Sequence, residues 1–295
     1  MSYQLIEDLQ KKAISVSQAC RVLQVSRSGY YAAAKRSQAE PVVCAQSVHV
    51  KAAFAASGRT YGSRRIRTAL CSQGVTMGRY RVRSMMRAHC LRPVWKRKFA
   101  HTTDSKHTMA VSNNVLARQF DRPLPNQAWV CDITYVRTRS GWLYLAAVLD
   151  LHSRKIVGWA MAPEMPAALV CSALQMAIVQ RNPDVGLIVH SDRGTQYASN
   201  EHQALLSKHG LVGSMSRKGN CWDNAVMERF FLNLKMERVW QKDYANHTEA
   251  MADVADYIVG FYNHTRLHST LGNLSPNAFE RESAKQRSID VSEIT

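Results

Sequence analysis

Long apolar runs are missing from this chain. No stretch approaches the length of a bilayer-spanning helix, and the opening M-S-Y-Q-L-I-E-D-L-Q-K-K lacks the apolar segment of a secretory signal. A soluble protein of the cytosol is therefore expected. Cysteine is present but unpatterned: Cys20, Cys44, Cys71, Cys90, Cys131, Cys171 and Cys221 are odd in number and never form C-x-x-C. This spacing supports neither a disulfide framework nor a zinc ribbon and points to free thiols in a reducing compartment. Acidic residues are scarce in one region only. Residues 1–110 carry 20 Lys and Arg against 4 acids, a net of +16, whereas residues 111–295 carry 19 against 18, a net of +1. Nearly all of the +17 imbalance thus sits in one region, which points to a polyanion bound there, nucleic acid first. At 295 residues and 46% hydrophobic, the chain can bury one sizeable core and one or two small domains.

The residues suited to chemistry gather in the charge-balanced part. Leu187, Ile188 and Val189 precede H-S-D-R-G-T-Q-Y (His190 to Tyr197), so Asp192 falls at the carboxyl end of a buried strand, the edge where α/β sheets carry their sites. Asp132 sits in W-V-C-D-I-T-Y-V (Trp129 to Val136), whose residues favour a strand and where an ionised carboxylate is costly unless a cation neutralises it. Glu228 lies in a helical pattern of Met227, Phe230 or Phe231, and Leu234, while Asn224, Glu228 and Lys235 share a more polar face.

Three carboxylates, one on a strand, one at a strand end and one on a helix, suit a pair of Mg²⁺ ions that keep open positions for phosphate. Two such ions about 4 Å apart can activate a water or a sugar hydroxyl and stabilise the leaving oxygen of a phosphodiester. Taken singly, each acid reads more readily as a structural one. Two further acids flank the same helix. Asp223, at its start, reads as a cap on backbone N–H groups; Glu237, nine residues beyond Glu228, points to the opposite side at about 100° per residue. Glu237→Gln is accordingly expected to do little. Ser216 to Lys218, ahead of Gly219, reads as a mobile loop beside the site.

The spacing Asp132, Asp192, 35 residues, Glu228, with Lys235 two turns on, resembles the catalytic core shared by retroviral integrases and DDE transposases. More narrowly, D-I-T-Y (Asp132 to Tyr135), H-S-D-R-G-T-Q-Y, G-N-C-W-D-N-A-V-M-E-R-F-F (Gly219 to Phe231) and Y-N-H-T-R-L-H-S-T-L (Tyr262 to Leu271) resemble the bacterial insertion-sequence family numbered three. The match is to the product of its second reading frame, OrfB, and covers nearly the whole chain. It implies a DDE-type transposase in which Asp132, Asp192 and Glu228 are catalytic and hold two Mg²⁺ ions, with Mn²⁺ as a substitute. Such an enzyme cuts element ends with water and joins the freed 3′-hydroxyl to a new phosphodiester. His190 and Asn224 would support the site. The implied partners are double-stranded DNA, both element ends and target, the upstream-frame protein or a fusion with it, and further copies of the chain on DNA. The implied location is the bacterial cytosol and nucleoid, with no membrane partner. A catalytically inactive DNA-binding regulator is the alternative, and three acids at family spacing speak against it.

The resemblance also gives the rest of the chain an order. Residues 1–38 resemble a helix-turn-helix, Ser17 and Ser26 being candidate caps, although a plain helical hairpin fits as well. Residues 42–91 form a second helical DNA-binding region. Within it Gly58 and Gly62 bracket R-T-Y-G-S, Ser63 and Thr76 are candidate caps, and Arg79, Arg83 and Arg87 recur every four residues, with Arg64 and Arg65 upstream. Like charges at that spacing repel, so either phosphate contact or a merely solvated face explains the stripe.

In the basic linker 92–113, Lys96, Arg97 and Lys98 interleave with Trp95 and Phe99, which suits DNA contact or packing on the core equally. Residues 114–280 predict an α/β core, β-β-β-α-β-α-β-α, with a C-terminal helical extension. This is the ribonuclease-H-like order, a mixed five-stranded sheet whose first and fourth strands pair in parallel. A helix is expected from Thr248 to Asn263, and Arg266 and His268 either contact DNA or brace the core. Lys235 reads as a phosphate contact or a solvent-exposed lysine. Residues 281–295 read as a disordered polar tail.

Overall fold

The computed structural model describes residues 2–38, 44–94, 112–217 and 221–292, and the chain divides into two compact units, 1–52 and 53–295. Lys96, Arg97 and Lys98 lie outside the described residues. In the first unit, α1 (Ser2–Lys11), α2 (Val16–Val22) and α3 (Arg27–Gln38) bury Ile6, Ala19, Cys20 and Tyr30 together. Ser26 takes the Gly29 N–H at 2.9 Å, as its sequence position suggests. The cap of α2 is Ser15, which accepts from Gln18 N at 3.3 Å, so Ser17 lies inside the first turn. Helix α4 (Ala45–Ala56) leads into the second unit.

There α5 (Ser63–Ser72) and α6 (Arg79–Ala88) pack through Ile66, Leu70, Val82 and Met86. Their caps are Gly62 and Gly78 rather than Ser63 and Thr76; both glycines have the extended backbone of an N-cap without a side-chain bond.

The sheet comprises β1 (Ala128–Thr138), β2 (Gly141–Asp150), β3 (Ile156–Ala162), β4 (Ile188–Ser191) and β5 (Val212–Met215), in the order β3-β2-β1-β4-β5. β1, β2 and β3 form the expected antiparallel meander, while β1 to β4 and β4 to β5 are parallel. Helices α7 (Ala167–Arg181) and α8 (Asn200–Lys208) cover one face, burying Trp129, Cys131, Val148 and Val189. Helices α9 (Ala225–Glu237) and α10 (His247–Asp256) cover the other, burying Val130, Val136, Leu145 and Leu149. Alternation along β1 therefore assigns odd residues to α7 and even ones to α9. At Gly158 on β3, an added Cβ would stand 2.3 Å from Ala173 O and 2.7 Å from Ala177 N, so α7 approaches β3 backbone to backbone.

In the C-terminal part the helix expected from Thr248 to Asn263 is found: α10 is followed without a gap by Tyr257–Tyr262, which wind as a π-helical turn that buries Tyr257, Ile258 and Tyr262 together. One expectation is overturned. The stretch read as a polar tail is helical, since α11 (Pro276–Ser292) runs on past residue 281. Its start is held by Glu280, which pairs with Arg181 and Lys155, and no glycine or second proline interrupts it. Among the described residues no helix is long and apolar enough to cross a membrane.

Glu237 does face away from Glu228, but not into solvent. Its carboxylate takes the fork of Arg266 at 2.8 and 2.7 Å and the Tyr257 hydroxyl at 2.7 Å, and the Arg266 side chain is only 2% exposed. The expectation that Glu237→Gln is nearly silent is thus corrected. Removing one partner of a buried pair leaves the other charge uncompensated and costs on the order of 3 kcal/mol. Glu237→Gln should lower the urea midpoint by a corresponding amount; a midpoint within error of wild type would show the pair to be dispensable.

Candidate active site

The site begins with a register. β1 and β4 pair Ala128 with Ile188, Trp129 with Val189 and Val130 with His190, an offset of 60 in each case. Asp132 and Asp192 stand at the same offset, two residues past the last rung. The ladder stops because β4 ends at Ser191, which frees the chain after it to turn. Asp192 holds that turn by accepting the Gly194 N–H at 2.9 Å. Asp132, an even residue, falls on the face of β1 covered by α9, whose first turn carries Glu228. Burial raises the Asp132 carboxyl well above the usual carboxylate range, the charge of Asp192 adds to this and Glu228 adds further; the Ile133 N–H and Lys235 oppose them. Asp132 therefore senses both of the other acids. They are not equally placed: Glu228 is exposed, and among the described residues no three of His, Cys, Asp or Glu are gathered closely enough to hold an ion as they stand.

The surrounding groups fix these positions. Asn224 precedes α9 and donates to the carbonyl of Cys131, the residue before Asp132, at 3.2 Å, so it pins the helix start to β1. His190 is fully buried and bridges β4 to β5, with Nδ1 2.9 Å from Ser214 Oγ and Nε2 3.2 Å from Ser216 Oγ. Burial lowers its pKa to about 4, so the ring is neutral at pH 7. Lys235 is half-buried with Nζ 4.3 Å from the Tyr135 ring centre; burial lowers its pKa, while the charge of Asp132 opposes that. This is a lysine held against a wall of the site rather than one extended into solvent.

Asp223 differs from its sequence reading. It does not cap α9; it lies in the 3₁₀ turn Cys221–Asn224, with a fully buried side chain. Arg118 reaches it at 2.6 Å, Asn114 Nδ2 at 3.0 Å and the Arg217 N–H at 2.9 Å. No local pattern announces Arg118, which is 105 residues away in sequence. At Ser216 and Arg217 the loop expected to be mobile is anchored instead. Ser216 is buried and its N–H donates to Ser191 O at 2.9 Å, Arg217 is tied to Asp223, and Lys218 lies outside the described residues. Trp222 is 69% exposed beside this anchor. An aromatic in a polar turn with little to bury it is a signal legible in the sequence, though Trp222 is not among the candidates drawn from it.

The basic candidates separate. Arg79, Arg83 and Arg87 are exposed along α6, opposite Val82 and Met86, and Arg64 is exposed on α5. Arg65 turns the other way, half-buried, with its guanidinium 5.5 Å from the Tyr61 ring centre.

Burial pushes the Asp223 carboxyl up, but the Arg217 N–H and the Arg118 guanidinium outweigh it, so the group is held below its usual range. A depressed carboxyl contributes stability that is present above its unfolded pKa, about 3.9, and is lost as pH falls through the folded value. Asp223→Asn should therefore melt below wild type at pH 7, and the gap in Tm should close as pH falls below about 4. A gap that stays constant on acidification would sink this account of Asp223.

Comparison with known proteins agrees with this architecture. A family model described as Integrase core domain matches residues 122–221, a second of the same description matches 209–276, and an HTH-like domain model matches 44–99. Transposase InsF for insertion sequence IS3A of Escherichia coli (strain K12) is 42% identical over 286 residues, 96% of this chain and 99% of that protein. The insertion element IS600 uncharacterized 31 kDa protein of Shigella sonnei is 43% identical over 268 residues, 89% of this chain and 97% of that protein. Among solved structures, the HTLV-2 integrase catalytic core domain in complex with magnesium is 16% identical with a TM-score of 0.41, covering 53% of this chain and 97% of that one. With a helical HTH-like region preceding an integrase-type core, and relatives above 40% identity matched over nearly their whole length, the chain belongs to the IS3-type family of insertion-sequence transposases.

Proposed function

We propose that this transposase cuts DNA at the ends of its insertion sequence with water and then joins the freed 3′-hydroxyl to a new phosphodiester, with Asp132, Asp192 and Glu228 as its catalytic carboxylates. The observation that carries the reading is the shared offset of 60 along β1 and β4, which brings two acids together at the sheet's carboxyl edge beside the helix of the third. A carboxyl raised by burial and by neighbouring acids, as Asp132 is, costs the fold something to maintain, and such groups concentrate at functional sites. The donor set is all oxygen, which suits a hard divalent cation. Asp132 and Asp192 would hold two Mg²⁺ ions, or Mn²⁺ in their place, with Glu228 completing the set from the first turn of α9. Bound there, the ions would supply Lewis-acid charge and a water of lowered pKa.

The chain's own residues do the positioning. Asn224 fixes the start of α9 against the Cys131 carbonyl, and the Lys235 ammonium offers a positive charge to a phosphate beside the acids. The exposed arginines of α5 and α6 hold the duplex by its phosphates. The active species acts in the bacterial cytosol as an oligomer on DNA, with the upstream-frame protein or a fusion to it supplying further helices. A regulator with a dead core is disfavoured, because it would have no use for a half-buried acid whose carboxyl is raised further by the charges of two others.

Asp132→Asn and Glu228→Gln should each abolish cleavage and strand transfer of a labelled end duplex in Mg²⁺ while leaving duplex affinity intact, since the exposed arginines lie elsewhere. Either variant cutting at the wild-type rate would refute the assignment. Replacing Arg79, Arg83 and Arg87 together by Ala should weaken binding to all duplexes alike and flatten the plot of log K against log salt by up to about 0.9 for each phosphate that is no longer neutralised. An unchanged slope would mean that the stripe faces only solvent.

A further inference from the structure

Two motifs remain unexplained by the chemistry, R-T-Y-G (Arg59 to Gly62) and Y-N-H-T-R-L-H (Tyr262 to His268), and in the second unit they meet. Tyr61 is 5% exposed. Its turn is held from behind by Ser57, whose hydroxyl takes the Tyr61 N–H at 3.3 Å and whose carbonyl takes the Thr60 hydroxyl at 2.7 Å. The Tyr61 hydroxyl accepts the Leu267 N–H at 2.8 Å and lies 3.5 Å from the Thr265 carbonyl. Between those two residues stands Arg266, forked onto Glu237, the last residue of α9. His268 Nε2 lies 3.4 Å from Arg266 Nη1, and burial, with Arg266 and Arg65 nearby, keeps that ring neutral.

The contact thus has a chain of rigid parts on each side. On one side the Tyr61 turn leads directly into α5 and from there to α6, the helices with the exposed arginines. On the other side Arg266 grips the end of α9, the helix that follows Asn224 and carries Glu228 in its first turn. Burying an arginine–glutamate pair is a poor way to gain stability, because desolvation offsets most of the attraction. Its directional fork does fix one orientation, as the in-plane geometry of a guanidinium on a carboxylate requires. A tyrosine hydroxyl placed on one backbone N–H does the same at smaller scale, because phenylalanine there would leave the Leu267 N–H without its acceptor.

We propose that Tyr61 is a positioning residue: by docking the R-T-Y-G turn on residues 265–267 it fixes the distance between duplex bound on the arginines of α5 and α6 and the carboxylates Asp132, Asp192 and Glu228, and so selects the phosphodiester that is cut. This rests on the function proposed above. It assigns to R-T-Y-G a role in register within the protein rather than in reading DNA.

The test uses the full chain, with the upstream-frame protein added, and two substrates. One is a labelled duplex carrying the element's end, in Mg²⁺; the other is supercoiled plasmid without that end, nicked in Mn²⁺. Tyr61→Phe should bind the end duplex and nick plasmid within about twofold of wild type. Its cleavage at the proper end position should fall at least tenfold or spread to neighbouring phosphodiesters. Arg266→Lys, which keeps the charge and loses the fork, should give the same pattern from the other side of the contact. End cleavage at the wild-type rate and position in both variants would overturn the proposal. So would a parallel loss of nicking and end cleavage, which would make the contact merely part of the fold. If wild type itself neither nicks nor cuts while Asp132→Asn behaves identically, the fault lies with the assigned function and not with Tyr61.

Discussion

The parallel pairing of β1 with β4 is the constraint on which the site depends. Parallel strands cannot be joined by a tight turn, so the chain between them must cross over, and here β2, β3 and α7 fill that crossing. The reward is that residues 60 apart share an edge. Since both strands point the same way, the ladder's last rung is also the point where two backbones diverge, and an acid just past it can be close to its neighbour without competing for a ladder hydrogen bond. Asp132 stays on a continuing strand while Asp192 leaves on a turn, so one acid is fixed by the sheet and the other by its own bond to the Gly194 N–H.

Placing like charges together has an electrostatic cost, which is visible at Asp132 in a carboxyl raised by burial and by Asp192. Two neighbouring titratable groups add no uncompensated charge to it. His190 is neutral between two serine hydroxyls, and Asp223 is compensated by Arg118 and Arg217. Asp223 and Glu228 sit five residues apart and are opposite in kind. The first is buried and paired with cations, which makes it an anchor; the second is exposed in the first turn of a helix, where a carboxylate can be approached from solvent.

Much of this was legible in the residues. Strand patterning around Asp132, the apolar run before Asp192 and the helical period around Glu228 sufficed to expect these elements, because each is a local signal of burial, while the parallel pairing of first and fourth strands followed from the ribonuclease-H-like order they make. What escaped was long-range or depended on backbone detail. Arg118 reaches Asp223 across 105 residues, and Arg266 reaches Glu237 across 29, with no pattern joining either pair. At about 100° per residue Glu237 falls opposite Glu228, as found, but residue spacing carries no sign of the buried arginine that receives it. Caps were misjudged for a simpler reason: Gly62 and Gly78 reach the N-cap backbone conformation as well as the neighbouring Ser63 and Thr76, so the side-chain preference misled.

The position of the buried pair explains how α9 can hold Glu228 in place at its other end. A helix packed on a sheet only by apolar contacts can slide or roll among several near-equal packings, and a carboxylate on its first turn would move with it. Here α9 is fixed at both ends by directional bonds: Asn224 on the Cys131 carbonyl at its start, Glu237 on Arg266 and Tyr257 at its finish, with Met227, Phe230 and Leu234 filling the face between. Roll about the axis would break both polar contacts at once. Asp132 takes its position from the sheet, Asp192 from its own turn and Glu228 from these two clamps, so the geometry of the three acids is only as exact as the bonds at the far end of α9.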